Sequence, residues 1–93
     1  MDKILLKKLR KDIDEIDREL LFVVAKRTDV VRKIGKLKKA NNIKPLDKKR
    51  WELVLQSRIS IAKSLNLDKD FIKNLYTLIH KNSLIIESEE KKL

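Results

Sequence analysis

Between residues 3 and 40, apolar residues return at every third or fourth position, and Gly35 is the only glycine or proline in this range. This periodicity predicts one long amphipathic α-helix. At a rise of about 1.5 Å per residue, the helix would be about 57 Å long. A compact chain of 93 residues has a diameter of only about 32 Å. We therefore expect a second copy of the chain to cover the part that its own domain cannot.

The helical pattern stops at residues 41–46, where two asparagines and a proline interrupt it. Asp47 follows as the predicted N-cap of a second helix over about residues 47–65. Asp68 is the predicted N-cap of a third helix over about residues 68–88. The sequence thus predicts an all-α fold with three helices per chain, the first very long, in an intertwined homodimer.

Composition agrees with this fold, because the chain has one glycine and one proline, too few for a fold built on tight turns. We expect residues 1–93 to form a single domain. The charged tail over residues 87–93 is expected to fray at the end of the third helix.

The chain has no cysteine and a single histidine, His80. Disulfides and thiolate metal sites are therefore excluded, and one histidine cannot build a zinc site alone. We expect no metal and no cofactor. A chain without disulfides fits the reducing cytoplasm, and the sequence has neither an evident export signal nor an apolar run of about 18 residues. We therefore expect a cytoplasmic protein without membrane contact.

The charge is strongly basic, since 24 Lys and Arg stand against 14 Asp and Glu and give a formal net charge of +10. Such an excess favours an anionic partner: a nucleic acid, a membrane surface or a small polyanion. Composition alone does not indicate which of these partners the protein binds, but the positions of the cations along the chain do.

One face of the first helix, the mixed stripe, carries cations among apolar residues. Its aliphatic members predict contact with packed protein, where a charged side chain is costly unless it is paired. A bound dianion would pair with these cations; alternatively, the cations extend to the edge of the stripe or pair with acids of the protein. Arg10 and Arg27 lie about 25 Å apart along the axis, so they could share a small ligand only across an antiparallel dimer. In steps of three and four, the mixed stripe is Arg10, Ile13, Asp17, Leu20, Val24, Arg27, Val31, Ile34 and Lys38.

The cationic positions and their surroundings resemble the all-helical (type II) chorismate mutases. The resemblance extends over nearly the whole chain, and it includes an Asp-x-x-Arg element at the start of the second helix. The matching segments are residues 9–21, 25–27, 34–38 and 47–50, followed by Ser83 and Glu87 on the third helix.

The resemblance implies that the substrate is chorismate, a small dianion that is rearranged to prephenate in a pocket built by both subunits. It implies that Arg27 and Arg10 of the neighbouring subunit clamp the two carboxylates, with help from Arg50 and Ser83. Guanidinium groups suit this task because they bind carboxylates through paired hydrogen bonds.

The resemblance also implies that Lys38 and Glu87 face, from opposite sides, the ether oxygen that joins the ring to the enolpyruvyl group. Asp47 would cap the second helix and help, through its backbone, to hold the ring hydroxyl. The reaction is an intramolecular rearrangement, so the protein need only select the compact conformer and stabilise charge on that oxygen. No nucleophile or metal is required.

Two positions depart from the family pattern. Trp51 stands where many members have a glutamate that accepts from the ring hydroxyl, and Glu52 lies about 100° further round the helix. Glu87 stands where many bacterial members have glutamine. We interpret Trp51 as a core residue, and His80 as a packing or surface residue rather than a catalytic one.

Other functions remain open. An isochorismate pyruvate lyase of the same fold would use nearly the same cations. A basic helical dimer could bind nucleic acid, although its basic residues are mixed with acids and no aromatic platform stands out, so we expect no nucleic-acid partner. A helical regulatory module attached to a related enzyme is the third alternative.

Overall fold

The structure is a computed structural model that describes residues 2–90. It contains α1 (Lys3–Ala40), α2 (Lys48–Ser64) and α3 (Lys69–Glu90), with no β-strand in the described part of the chain. The prediction of an all-α chain with three helices is therefore confirmed. No helix within residues 2–90 is both long enough and apolar enough to cross a membrane.

Aspartates cap the second and third helices, as the sequence predicted. Asp47 adopts an extended backbone with φ −125° and ψ 97°, and its carboxylate accepts from the backbone N–H of Arg50. Asp68 accepts from the N–H of Phe71 at 2.9 Å. Each cap satisfies one of the N–H groups that the first turn of a helix leaves unpaired.

Asparagines in the left-handed conformation end the first two helices. Asn42 follows α1 with φ 55°, and Asn66 follows α2 with φ 59°. The N–H of the next residue then bonds back to the helix, from Ile43 to the carbonyl of Lys38 at 2.8 Å and from Leu67 to that of Ala62 at 2.9 Å. These bonds are those of the Schellman motif, which asparagine tolerates better than most residues.

The tail differs in part from its prediction. We expected fraying from Glu87 onward, but α3 continues to Glu90, and Glu87 is among the most buried residues. Residues 91–93 of that tail lie outside the described residues.

The chain divides into two compact units, one up to Val30 and one from Val31 onward. In the second unit α2 packs against α3. Val31, Ala62 and Ile72 are its buried apolar residues, and Gly35 is also buried. That residues 1–93 form a single domain stays a prediction.

The unit up to Val30 consists of most of α1. Here the apolar members of the mixed stripe are exposed, with Ile13 and Leu20 each keeping 57% of their accessible surface and Val24 48%. The amphipathic pattern that predicts the helix is therefore present, and these members of its apolar face are exposed.

Candidate active site

Lys38 and Glu87 come together in the unit from Val31 onward. The ammonium nitrogen Nζ of Lys38, near the end of α1, lies 2.7 Å from Oε1 of Glu87 on α3. The side chain of Glu87 is only 9% exposed, while that of Lys38 is 22% exposed. The resemblance implies that these two groups face one reacting oxygen from opposite sides, which stays a prediction, and the structure brings them into direct contact.

The contact is an ion pair by distance, but its angles do not form a hydrogen bond. Oε1 of Glu87 is buried and has no hydrogen-bond donor within residues 2–90. A buried oxygen in this state is costly, since it has lost water without gaining a donor. The ammonium charge at 2.7 Å offsets part of this cost. Such an oxygen is also suited to meet a ligand.

Lys38 is held in place by hydrogen bonds of both its backbone and its side chain. Its carbonyl accepts from the N–H of Ile43 in the motif that ends α1. Its Nζ donates to the carbonyl of Pro45 at 2.6 Å. The lysine therefore ties the α1–α2 connection to the helix end, and its charge is held in place before any ligand arrives.

Ser83 lies one turn before Glu87 on α3 and is buried to the same extent, with 7% of its surface exposed. Its Oγ donates to the carbonyl of Ile79 at 2.9 Å. Residues three and four apart share a helix face, so Ser83 and Glu87 form a polar row within the core. To bind a carboxylate, the hydroxyl would have to turn away from Ile79.

The first turn of α2 contributes Asp47 and Arg50. The carboxylate oxygen Oδ1 of Asp47 accepts from the backbone N–H of Arg50 at 3.0 Å, and the Asp47 carbonyl accepts from Trp51. The capping role predicted for Asp47 is confirmed. Arg50 is exposed, and its role in carboxylate binding stays a prediction.

Arg10 and Arg27 both belong to the unit up to Val30, where they are exposed residues of α1. The predicted site residues thus divide into two sets. The structure assembles Lys38, Ser83 and Glu87 in one unit, with Asp47 and Arg50 at the start of α2, whereas the carboxylate clamp of Arg10 and Arg27 stays a prediction.

Sequence reasoning missed the partner of Trp51. Its indole ring stacks on the imidazole of His80, with ring centroids 4.0 Å apart and ring planes 9° from parallel. Both residues are half-buried. The signal for this contact was present, because the two lie at nearly equal numbers of residues from the α2–α3 connection and helices joined by a short connection pack antiparallel.

The chain is similar to parts of larger proteins. It is 31% identical over 84 residues to the T-protein of Haemophilus influenzae, which covers 90% of this chain and 22% of that protein. It is 33% identical over 80 residues to a bifunctional chorismate mutase/prephenate dehydratase of Buchnera aphidicola, covering 86% of this chain and 21% of that protein. The chain thus spans about a fifth of the length of these curated relatives.

Residues 9–88 match the family model described as chorismate mutase type II. The matched range contains the Lys38–Glu87 pair, Ser83 and the capped start of α2, as well as both arginines of α1. On this match the chain belongs to the chorismate mutase type II family.

Proposed function

We propose that the protein converts chorismate to prephenate, a step of aromatic amino-acid biosynthesis. The observation that carries the proposal is the Lys38–Glu87 contact at 2.7 Å, in the buried part of a chain that belongs to this family. A lysine charge held beside a buried carboxyl group suits a reaction in which one substrate oxygen gains negative charge.

The rearrangement needs neither an external reactant nor a covalent intermediate. The ether C–O bond of chorismate breaks while a C–C bond forms between the enolpyruvyl group and the ring, and the electron pairs move in one cycle. Negative charge grows on the ether oxygen as its bond to the ring breaks. Lys38 would stabilise this charge, because a positioned donor costs no reorganisation during the reaction.

Glu87 would contribute from the other side of the same oxygen, which requires that the substrate separate it from Lys38. In its protonated form it donates a hydrogen bond, whereas its carboxylate opposes the charge that grows there. Arg27, Arg50 and Ser83 would hold the two carboxylates and thereby select the compact conformer. Asp47 would hold the ring hydroxyl through its backbone.

The exposure of α1 supports a homodimer with shared active sites. Within the unit up to Val30, Ile13 and Leu20 of the mixed stripe each keep 57% of their surface exposed, and an apolar helix face of this kind is typically covered by a second copy. An antiparallel partner would cover the mixed stripe and bring its Arg10 to the carboxylate clamp. We place this work in the cytoplasm, as expected for a chain without cysteine.

The proposal is tested by incubating the purified chain with chorismate and following the loss of its absorbance. Acid treatment then converts any prephenate formed to phenylpyruvate, which identifies the product. The same protein is incubated with isochorismate and analysed for salicylate and pyruvate. We expect prephenate from chorismate. Salicylate and pyruvate from isochorismate, without prephenate from chorismate, would instead establish the lyase reaction.

A pair of lysine variants controls for contamination by other enzymes. Lys38→Ala removes the proposed charge, while Lys33→Ala removes an exposed lysine on the other side of α1. We expect the first variant to lose the activity and the second to keep it. Equal activity of both variants with chorismate would place the reaction outside this site.

A further inference from the structure

A basic segment joins the first two helices beside the proposed site. Residues 44–50 contain four cations and one acid, and the acid, Asp47, is engaged as the cap of α2. The segment lies close to the Lys38–Glu87 pair, because Nζ of Lys38 donates to the carbonyl of Pro45 at 2.6 Å. The lysines of this segment, here called the basic connection, are Lys44, Lys48 and Lys49.

The lysines of the basic connection are exposed, and their side chains form no ion pair with any residue between 2 and 90. Their charges are therefore not neutralised by that part of the chain. In solution such charges act over about 30 Å at an ionic strength of 0.01 M, over about 8 Å at 0.15 M, and over still less at higher salt. They can thus attract an anion that approaches the site, to an extent that salt controls.

Two of these lysines lie where a cation lowers the stability of its helix. Lys48 and Lys49 occupy the first turn of α2, and that turn contains no acid. The N-terminal end of a helix carries a partial positive charge, which favours carboxylates there and disfavours cations. The first turn of α3 follows this preference with Asp70, and the last turn of α1 follows the converse preference with Lys38 and Lys39. A departure from a local preference beside a site is typical of a functional demand.

We propose that the basic connection captures the dianionic substrate electrostatically, by raising its concentration at the site without contacting it. The inference rests on the proposed function and deepens it. Each lysine attracts a dianion with twice the Coulomb energy that it gives a monoanion, and charges of one sign around a site raise the association rate of an oppositely charged ligand. The three lysines therefore serve substrate capture and take no part in the chemical step.

The test compares two triple variants that remove the same charge. The first neutralises the basic connection through Lys44→Gln, Lys48→Gln and Lys49→Gln. The control neutralises three exposed lysines around the α2–α3 connection, about 22 Å further along α2: Lys63→Gln, Lys69→Gln and Lys73→Gln. Steady-state kinetics with chorismate are measured for both variants and the wild type at low and at high ionic strength.

The effect should lie in KM and depend on salt. At an ionic strength of about 0.01 M we expect the first variant to raise KM about tenfold, the effect of three unit charges roughly 12 Å from a dianion in water. At about 0.5 M its KM should differ less than about twofold from that of the wild type, because salt then screens the charges. The control should stay within about twofold at both ionic strengths, and kcat should be unchanged throughout.

Thermal unfolding, followed by circular dichroism, tests the stability argument without any turnover. Lys48→Gln and Lys49→Gln each remove a cation from the positive end of α2, so each should raise Tm. The control Lys63→Gln removes a cation from the last turn of the same helix, where a cation is favoured, and should lower Tm. A Tm that is unchanged or lower in both first-turn variants would overturn the stability argument and with it the inference.

The kinetic outcomes distinguish this inference from the function beneath it. Equal changes of KM in the two triple variants would overturn substrate capture by the basic connection, while chorismate mutase activity stands. A rise of KM that persists at high ionic strength, or a lower kcat, would show direct contact with the substrate and would also overturn the inference. A wild-type chain that leaves chorismate unchanged at every ionic strength would overturn the proposed function and this inference together.

Discussion

The charged site residues of the two units differ in their contacts. From Val31 onward, Lys38 is held by the carbonyl of Pro45 and lies against buried Glu87. Up to Val30, Arg10 and Arg27 lie among exposed apolar residues of α1. Lys38 and Glu87 are therefore held in place by contacts within their own chain. Arg10 and Arg27 lie on a helix face whose apolar residues are exposed, and we expect a second copy of the chain to cover that face.

The largest effect is expected from a charge on the uncovered face. Leu20→Asp places a carboxylate on the mixed stripe of both copies, where burial without a partner costs several kcal/mol per ion. We expect the dimer to dissociate and the activity to disappear with it. Sedimentation and activity over a range of protein concentrations measure both.

The matched control is Phe22→Asp, which places the same charge on the opposite side of α1 at a residue that is 73% exposed. It should leave the dimer intact. If both variants dissociate equally, or if neither does, the mixed stripe is not the dimer interface.

The next largest effect is expected at Lys38. Lys38→Ala should lower kcat about 100-fold to 1,000-fold, because loss of one such donor raises the barrier by about 2.7–4 kcal/mol. KM should change much less, since the charge acts mainly on the transition state. Steady-state kinetics separate the two constants. A raised KM at unchanged kcat would make Lys38 a simple carboxylate-binding residue.

A smaller effect is expected at Glu87. The carboxylate of Glu87 opposes the charge that grows on the ether oxygen, whereas the amide of Glu87→Gln donates a hydrogen bond to it. The variant should therefore preserve or raise kcat/KM for chorismate, as measured by steady-state kinetics. A glutamine variant with the same kcat and KM as the wild type would remove Glu87 from the reaction.

The smallest effects are expected from loss of the helix caps Asp47 and Asp68. Asp47→Ala and Asp68→Ala each remove a cap worth about 1 kcal/mol, which should lower Tm by about 4–8 °C in a domain of this size. Only Asp47→Ala should also raise KM for chorismate. If both variants raise KM equally, Asp47 acts through helix stability alone.

The fold was predictable from the sequence because its signals are local. Helical periodicity, the aspartate caps and the asparagines after α1 and α2 each act within a few residues, and the structure has the helices at Lys3–Ala40, Lys48–Ser64 and Lys69–Glu90. The tail was misjudged because its charges suggested fraying, whereas Glu87 is buried against Lys38. Local pattern carries no information on such a tertiary ion pair.

The sequence proposed the residues of the site but not their contacts. Lys38 was singled out by its position on the mixed stripe, and Ser83 and Glu87 by the resemblance to a known family; their roles stay predictions. Three contacts did not follow: the bond from Lys38 to Pro45, the direct approach of Glu87, and the stack of Trp51 on His80. Each joins residues on different segments, and its geometry depends on how the segments pack rather than on periodicity.

The most direct test of the account mixes two inactive variants, Arg10→Ala and Arg27→Ala. If each site takes Arg10 from one copy and Arg27 from the other, a heterodimer has one site with both arginines intact. Random exchange between equal amounts of two dimers should therefore restore about a quarter of the wild-type activity. Subunit exchange is verified by mass spectrometry of the intact dimers. Heterodimers that form and remain inactive would contradict a site shared between two copies.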